Sequence, residues 1–131
     1  LSLQLNPDQP YVMNYLAYSW LERKIKIDQS MEMLLKAYNL KRSDPYIIDS
    51  VGWAYYLNEE YISAEKYLKN ALLLMPDDPI VNDHYGDVMW KLDMKLQANY
   101  YWKAALLSEE AEEKLIKEIN NKLLFGLSNL Q

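Results

Sequence analysis

The sequence predicts an all-α solenoid, in which three helical hairpins stack and a further helix caps the C-terminal end. A proline, a glycine and two alanines recur at a spacing of 34 residues, as the pairs Pro45/Pro79, Gly52/Gly86, Ala64/Ala98 and Ala71/Ala105. Within that period, apolar residues follow the spacing i, i+3, i+4, i+7 of one helical face. Stacked hairpins of this size bury a continuous core, and 50% hydrophobic residues are enough to build it.

The first helix of each hairpin begins with a polar residue followed by proline, at Gln9-Pro10, Asp44-Pro45 and Asp78-Pro79. An aspartate in this place accepts hydrogen bonds from free backbone N–H groups and favours the positive end of the helix dipole. Proline at the first helical position gives up an N–H that has no partner there. These pairs therefore predict three helix starts.

The first repeat is predicted over residues 10–44. Its basic turn, Arg23-Lys24-Ile25-Lys26, contains one residue more than the period requires. Its second helix is expected from Asp28 to Leu40, with a buried face made of Ile27, Met31, Leu34, Ala37 and Tyr38.

The central repeat is predicted over residues 45–78. One face of its first helix carries Ile48, Val51, Gly52 and Tyr55, and the polar turn Asn58-Glu59-Glu60 follows. The second helix is expected to bury Tyr61, Ala64, Leu68, Ala71 and Leu72 and to end before Pro76. Small residues, Gly52 and Ala64, are expected where the two helices cross, so that their backbones can approach closely.

The third repeat is predicted over residues 79–108, with Trp102 in the place of Leu34 and Leu68. Residues 109–125 are expected to form a capping helix, because glutamates precede lysines along it as the helix dipole favours. Its predicted apolar stripe, expected to dock on the second helix of the third repeat, is Leu115, Ile116, Ile119, Leu123 and Leu124. Gly126 is expected to end the helix and to leave residues 126–131 as a loose tail. Residues 1–9 read as the end of an upstream repeat, so a longer array is expected.

The central repeat resembles the tetratricopeptide repeat family, whose pattern of small residues and closing proline is matched by Gly52, Ala64, Ala71 and Pro76. The other two repeats depart from this pattern at Ala17, Ser30, Arg42 and Glu110. A narrower likeness is to repeat proteins of alphaproteobacteria that carry DSLGW-like and NDHLGD-like runs, here residues 49–53 and 82–87. The family resemblance implies a binding scaffold and leaves the partner unspecified.

Composition excludes several classes of function. The net charge of −5 argues against nucleic acid or an anionic membrane as the main partner, because both select basic surfaces. No apolar run approaches the roughly 20 residues of a membrane span. The absence of cysteine removes thiolate chemistry and disulfides, and it leaves the compartment open.

The first helices also carry a second stripe, aromatic and acidic, offset by about one residue from the core stripe. In the central repeat it is Tyr46, Asp49, Trp53 and Tyr56; its counterparts are Tyr11, Asn14, Tyr18 and Leu21 before it, and Ile80, Asp83, Asp87 and Trp90 after it. The family resemblance implies that first helices line the concave surface of a superhelix, so this stripe is expected to face a groove. Aromatic anchors with interspersed carboxylates suit a peptide-binding surface. The alternative is that the rings fill seams between first helices and that the aspartates are ordinary helix surface.

Three functions remain open at this point. The preferred one is a non-catalytic scaffold, without a cofactor, that binds a basic and apolar segment of a partner protein. The second is a structural array that self-associates through its N-terminal face, and the third is the targeting arm of a larger enzyme. A metal face of Asp83, His84 and Asp87 is disfavoured, because transition-metal sites draw more nitrogen or sulfur ligands.

Overall fold

The computed structural model describes residues 9–127, and these residues form α-helices joined by short turns. The helices are α1 (Pro10–Glu22), α2 (Ile27–Leu40), α3 (Pro45–Leu57), α4 (Tyr61–Leu74), α5 (Pro79–Lys91), α6 (Lys95–Leu106) and α7 (Glu113–Phe125). The predicted all-α repeat fold is confirmed. The upstream repeat expected at residues 1–9 falls almost entirely outside the described residues. The described residues divide into two compact units, and the boundary between the units, after Asn70, falls within the sequence of α4.

Two of the three predicted helix starts are capped by an aspartate. The Asp44 carboxylate accepts hydrogen bonds from the backbone N–H groups of Tyr46 and Ile47, at 2.9 and 3.1 Å. Asp78 does the same for α5, with N–O distances of 2.9 and 3.0 Å. Gln9 precedes α1 without a side-chain capping bond, so proline alone marks that start.

The turns inside the hairpins use residues in the left-handed region of backbone space. Glu59 between α3 and α4 has φ 62°, and Asp93 between α5 and α6 has φ 65°. The longer turn between α1 and α2 has two such residues, Lys24 and Lys26. None of the four is glycine, although glycine is the residue that adopts this region without steric cost.

The first unit has a core of small and aliphatic side chains that come from α1 to α4. Ala17, Leu21, Leu34, Val51 and Ala54 form a fully buried cluster. Packed against this cluster, the Tyr67 ring stacks on Tyr55 and meets Tyr38 edge-on. The Ser30 hydroxyl, at the place where the next repeat has Ala64, donates a hydrogen bond to the Ala17 carbonyl.

The glycines of the second and third hairpins lie against large side chains of the partner helix. A Cβ added to Gly52 would lie 2.6 Å from Leu68 Cγ, and one added to Gly86 would lie 2.5 Å from Trp102 Cδ1. Ala64, the small residue predicted on the other helix of the Gly52 crossing, is fully buried, and the atom nearest to the Cβ added to Gly52 belongs to Leu68. Helical side chains lean toward the helix N-terminus, so Leu68 covers the turn that contains Ala64 and meets the glycine itself.

The last helix begins later than predicted and continues the period. The segment after Ser108 is a turn, in which the Glu110 N–H donates to the Ser108 hydroxyl, and α7 starts at Glu113. The helices α3, α5 and α7 have equal lengths and start at 45, 79 and 113, so α7 is in register with a first helix. As predicted, α7 ends before Gly126, whose φ is 70°. Among the described residues 9–127, none of the helices has the length and hydrophobicity of a membrane-spanning segment.

Candidate functional site

The predicted aromatic–acidic stripe consists of Tyr11, Asn14, Tyr18, Tyr46, Asp49, Trp53, Tyr56, Asp83, Asp87 and Trp90. Its members on α1 and α3 belong to the first unit, and those on α5 belong to the second. The two parts differ in chemistry: the first is mostly aromatic, whereas the second is a buried cluster of charges.

In the first unit, the stripe presents tyrosine rings to solvent. Tyr11 is 53% exposed and Tyr46 is 60% exposed, and each follows the proline that starts its helix. Tyr18 is partly buried. These rings provide apolar area that a partner could cover. Leu21, the last member on α1, is fully buried in the core and does not belong to this surface.

The stripe on α3 is more covered. The Trp53 ring stacks on the Tyr56 ring, with centroids 4.5 Å apart and planes 10° from parallel, and Tyr56 also approaches Tyr61. Asp49 is buried. On α1, the side-chain oxygen of Asn14 is buried and has no hydrogen-bond partner among residues 9–127. The polar members of the stripe are thus less accessible than the aromatic ones.

In the second unit, the carboxylates of Asp83 and Asp87 bind the ammonium group of Lys122 from α7. Lys122 Nζ lies 2.8 Å from Asp83 Oδ1, 2.9 Å from Asp87 Oδ1 and 3.1 Å from Asp87 Oδ2. The Trp102 indole N–H donates to Asp87 Oδ1 at 2.9 Å. The aromatic–acidic stripe predicts that these carboxylates face a groove for a partner, whereas in this structure they bind a lysine of the same chain.

The cluster holds more negative than positive charge, because one ammonium faces two carboxylates. Burial, and after it the negative charge of Asp83, raise the pKa of Asp87 to about 6, even though Lys122 and His84 lower it. Burial would lower the pKa of Lys122, but Asp87 and Asp83 outweigh it, so the net shift is upward and the lysine keeps its proton. The excess charge therefore resides on the aspartates.

Around this cluster lie the remaining candidates of the second unit. The Trp90 ring stacks on Trp102 at 5.6 Å, and Lys95 lies over its face at 4.7 Å. His84 is buried next to Asp83. In the described part of the chain, no group of three or more histidine or acidic side chains could hold a metal ion.

Lys122 lies outside the stripe predicted from the sequence, although the 34-residue period contains a signal for it. A shift of 34 residues carries Ala54 to Val88 and Val88 to Lys122, and both apolar residues are fully buried. A lysine at a position that is buried in the preceding repeats requires a buried counter-charge. Asp83 and Asp87 provide it.

Sequence comparison finds no matching family model. It does find the TPR repeat-containing protein PA4667 of Pseudomonas aeruginosa, 36% identical over 81 residues. This match covers 62% of the present chain but only 14% of that protein's length. The narrower likeness to alphaproteobacterial repeat proteins stays a prediction.

Solved structures with low sequence identity share the fold. The thermophilic TPR protein TTC0263 of Thermus thermophilus superposes with a TM-score of 0.77 at 20% identity, over 95% of this chain and 69% of that one. The secretion translocator chaperone SycD of Yersinia enterocolitica gives 0.76 at 14% identity, over 89% and 90%. The first TPR domain of Spaghetti (RPAP3), in complex with the HSP90 peptide SRMEEVD, gives 0.71 at 15% identity, over 86% and 88%.

Proposed function

Since this chain carries tetratricopeptide repeats, we propose that it is a non-catalytic interaction scaffold whose first helices bind a segment of a partner protein. The observation that carries the proposal is the row of uncovered tyrosine rings in the first unit, above all Tyr11 and Tyr46. Exposed aromatic rings lose solvent-accessible area when a partner covers them, and they are typical anchors of protein interfaces.

The acidic residues of the stripe and the net negative charge of the chain indicate that the partner segment is basic. The RPAP3 domain was solved with a peptide that ends in acidic residues. Family members that grip such carboxylates use lysine, arginine and asparagine on the stripe, whereas here the stripe offers Asp49, Asp83 and Asp87, with only Asn14 of the expected type. With a net charge of −5, the chain should repel an acidic tail and attract a basic and apolar segment.

The structure limits how much of this charge is available. Lys122 already compensates part of the charge of Asp83 and Asp87, so attraction of a basic segment there is weaker than two unpaired carboxylates would give. The proposal therefore relies on the aromatic residues of α1 and α3 for affinity and on charge for selectivity.

A peptide titration tests this function. A basic amphipathic peptide and an acidic C-terminal peptide are titrated by calorimetry into the chain at two ionic strengths. We expect the basic peptide to bind more tightly, with an affinity that falls as salt screens the charges. Tyr46→Ala should weaken the binding of the basic peptide about tenfold, as loss of an aromatic anchor does.

The matched control is Tyr100→Ala, which removes an equally exposed ring from a second helix, α6. It should leave the affinity unchanged. Tighter binding of the acidic peptide would contradict the charge argument. An equal loss of affinity for the basic peptide in the Tyr100→Ala variant would contradict the assignment of the binding surface to the first helices.

Self-association is the second candidate function, because one face of α1 has two exposed rings. Tyr11 and Tyr15 lie one turn apart, and both are exposed. Light scattering across a range of protein concentrations separates this function from the first. A mass that rises with concentration, and that Tyr15→Lys returns to the monomer value, would favour it.

A further inference from the structure

The last helix is held by few buried side chains. Ile119 is its single residue in the fully buried class, and the Lys122 side chain is mostly buried beside it. Leu124 and Phe125, at its C-terminal end, are 76% and 79% exposed. By contrast, ten of the thirteen residues of α5 are buried. α7 therefore has fewer fully buried side chains than α5, and less buried apolar area holds it in place.

The surface beneath α7 is suited to a primary ammonium group. Asp83 and Asp87 approach Lys122 Nζ from two sides, at 2.8–3.1 Å. The Trp102 ring lies 5.9 Å from the same nitrogen, and its indole N–H fixes the Asp87 carboxylate. Two carboxylates, a ring face and an oriented hydrogen bond constitute a preformed site, and its present occupant is a lysine.

We propose that α7 is a built-in occupant of a lysine-binding site on α5 and α6, and that a lysine-bearing amphipathic helix of a partner protein binds there by displacing α7. The inference rests on the proposed role of the chain as an interaction scaffold. It uses a surface of the second unit, separate from the tyrosines of α1 and α3. The spacing of Ile119 and Lys122 defines the partner segment: a large aliphatic residue three positions before a lysine, so that both lie on one face.

Exchange of one lysine for another is the physically favoured way to open this site. If Lys122 left without replacement, two buried carboxylates would remain without a cation, which is strongly unfavourable. An incoming ammonium restores the pairing, so only the difference between the two helices opposes the exchange. Because α7 is tethered next to the site, its effective concentration is on the order of millimolar, and the apparent affinity of the partner is reduced accordingly.

The probe for this proposal is a labelled synthetic peptide of residues 113–127, EKLIKEINNKLLFGL, which carries the natural occupant in a separate molecule. Its binding to the full chain is measured by fluorescence anisotropy. The full-chain variant Ile119→Ala, which weakens the hold of α7, should bind the peptide at least about tenfold more tightly than the wild type. Circular dichroism of each variant confirms that it is folded.

Two controls isolate the lysine. The peptide with Lys122→Met should bind neither chain, and the Ile119→Ala chain that also carries Asp83→Asn and Asp87→Asn should lose the unmodified peptide. If Ile119→Ala does not fold, Lys122→Met in the full chain replaces it, because it empties the site and should also increase peptide affinity. Equal binding of both peptides, or no gain in either chain variant, would overturn the proposal.

A third chain variant separates this proposal from the function proposed above. Tyr46→Ala should leave the binding of the 113–127 peptide unchanged. If it weakens that peptide, the peptide binds the aromatic surface of the first unit, and the lysine site on α5 is refuted while the scaffold function stands.

Discussion

Replacing Gly86 by alanine is the sharpest test of how the third hairpin is packed. The new Cβ would lie 2.5 Å from both Cδ1 and Nε1 of the Trp102 indole, so the ring must move. The same indole donates the hydrogen bond that holds Asp87 against Lys122. We therefore expect the substitution to disturb both the helix crossing and the charge cluster.

The size of the effect follows from three contributions. Alanine gains about 1 kcal/mol of helix propensity, overpacking costs about 1–3 kcal/mol, and loss of a hydrogen bond to a charged group costs about 1.5–3 kcal/mol. The free energy of unfolding should thus fall by about 1.5–5 kcal/mol. Urea denaturation followed by circular dichroism measures it.

Gly52→Ala is the matched control, because the same alanine then meets Leu68. No side-chain hydrogen bond from Leu68 is at stake, so the propensity gain and the overpacking leave a loss of about 0–2 kcal/mol. Trp102→Leu gives the third hairpin the leucine that the central hairpin has at Leu68. In that background, Gly86→Ala should lower the free energy of unfolding by no more than Gly52→Ala does. A Gly86→Ala variant as stable as the wild type would refute this account of the crossing.

Two further predictions concern single side chains. Asp78→Ala removes the cap of α5 and should lower the free energy of unfolding by about 1 kcal/mol. Gln9→Ala, at a helix start without a capping bond, should change this free energy little. Thermal melts of both variants measure the difference. The second prediction concerns pH: because burial raises the pKa of Asp87 to about 6, the folded chain binds a proton more tightly there than the unfolded chain. Asp87 should therefore make stability fall as pH rises from about 4 to about 6, so the wild type should lose stability relative to Asp87→Asn over this window. Urea titrations at several pH values measure this difference. If the wild type instead gains stability relative to the variant as the pH rises, the Lys122 ammonium has a larger effect on the Asp87 carboxylate than burial has.

Sequence alone could predict most of the fold because its determinants are local. Proline at the start of α1, α3 and α5 sets where those helices begin, and the 34-residue period gives the number of hairpins without any knowledge of distant contacts. The last helix is predicted from residue 109, whereas α7 begins four residues later, at Glu113. Acidic residues favour the first turn of a helix, but a serine that caps a turn can hold several of them outside it, as Ser108 does.

The candidate site was harder to predict, because its chemistry depends on which side chains meet. Tyr11 and Tyr46 could be placed on one stripe from their spacing, and the structure finds both exposed. The partner of Asp83 and Asp87 could not be read from their own helix, since Lys122 lies 39 and 35 residues away along the chain. Burial and long-range pairing are tertiary properties, and the helical period reveals them only when equivalent positions in successive repeats are compared.

The left-handed turn residues have a consequence for the stability that this chain could reach. Lys24, Lys26 and Glu59 each hold a conformation that costs a residue with a Cβ about 1–2 kcal/mol, whereas Asp93 adopts it at a lower cost. The first three together contain strain of about 3–6 kcal/mol, which approaches the net stability of an ordinary domain. The hairpins therefore fold despite their turns, and thermostable versions of the chain should first acquire glycine or asparagine at these positions.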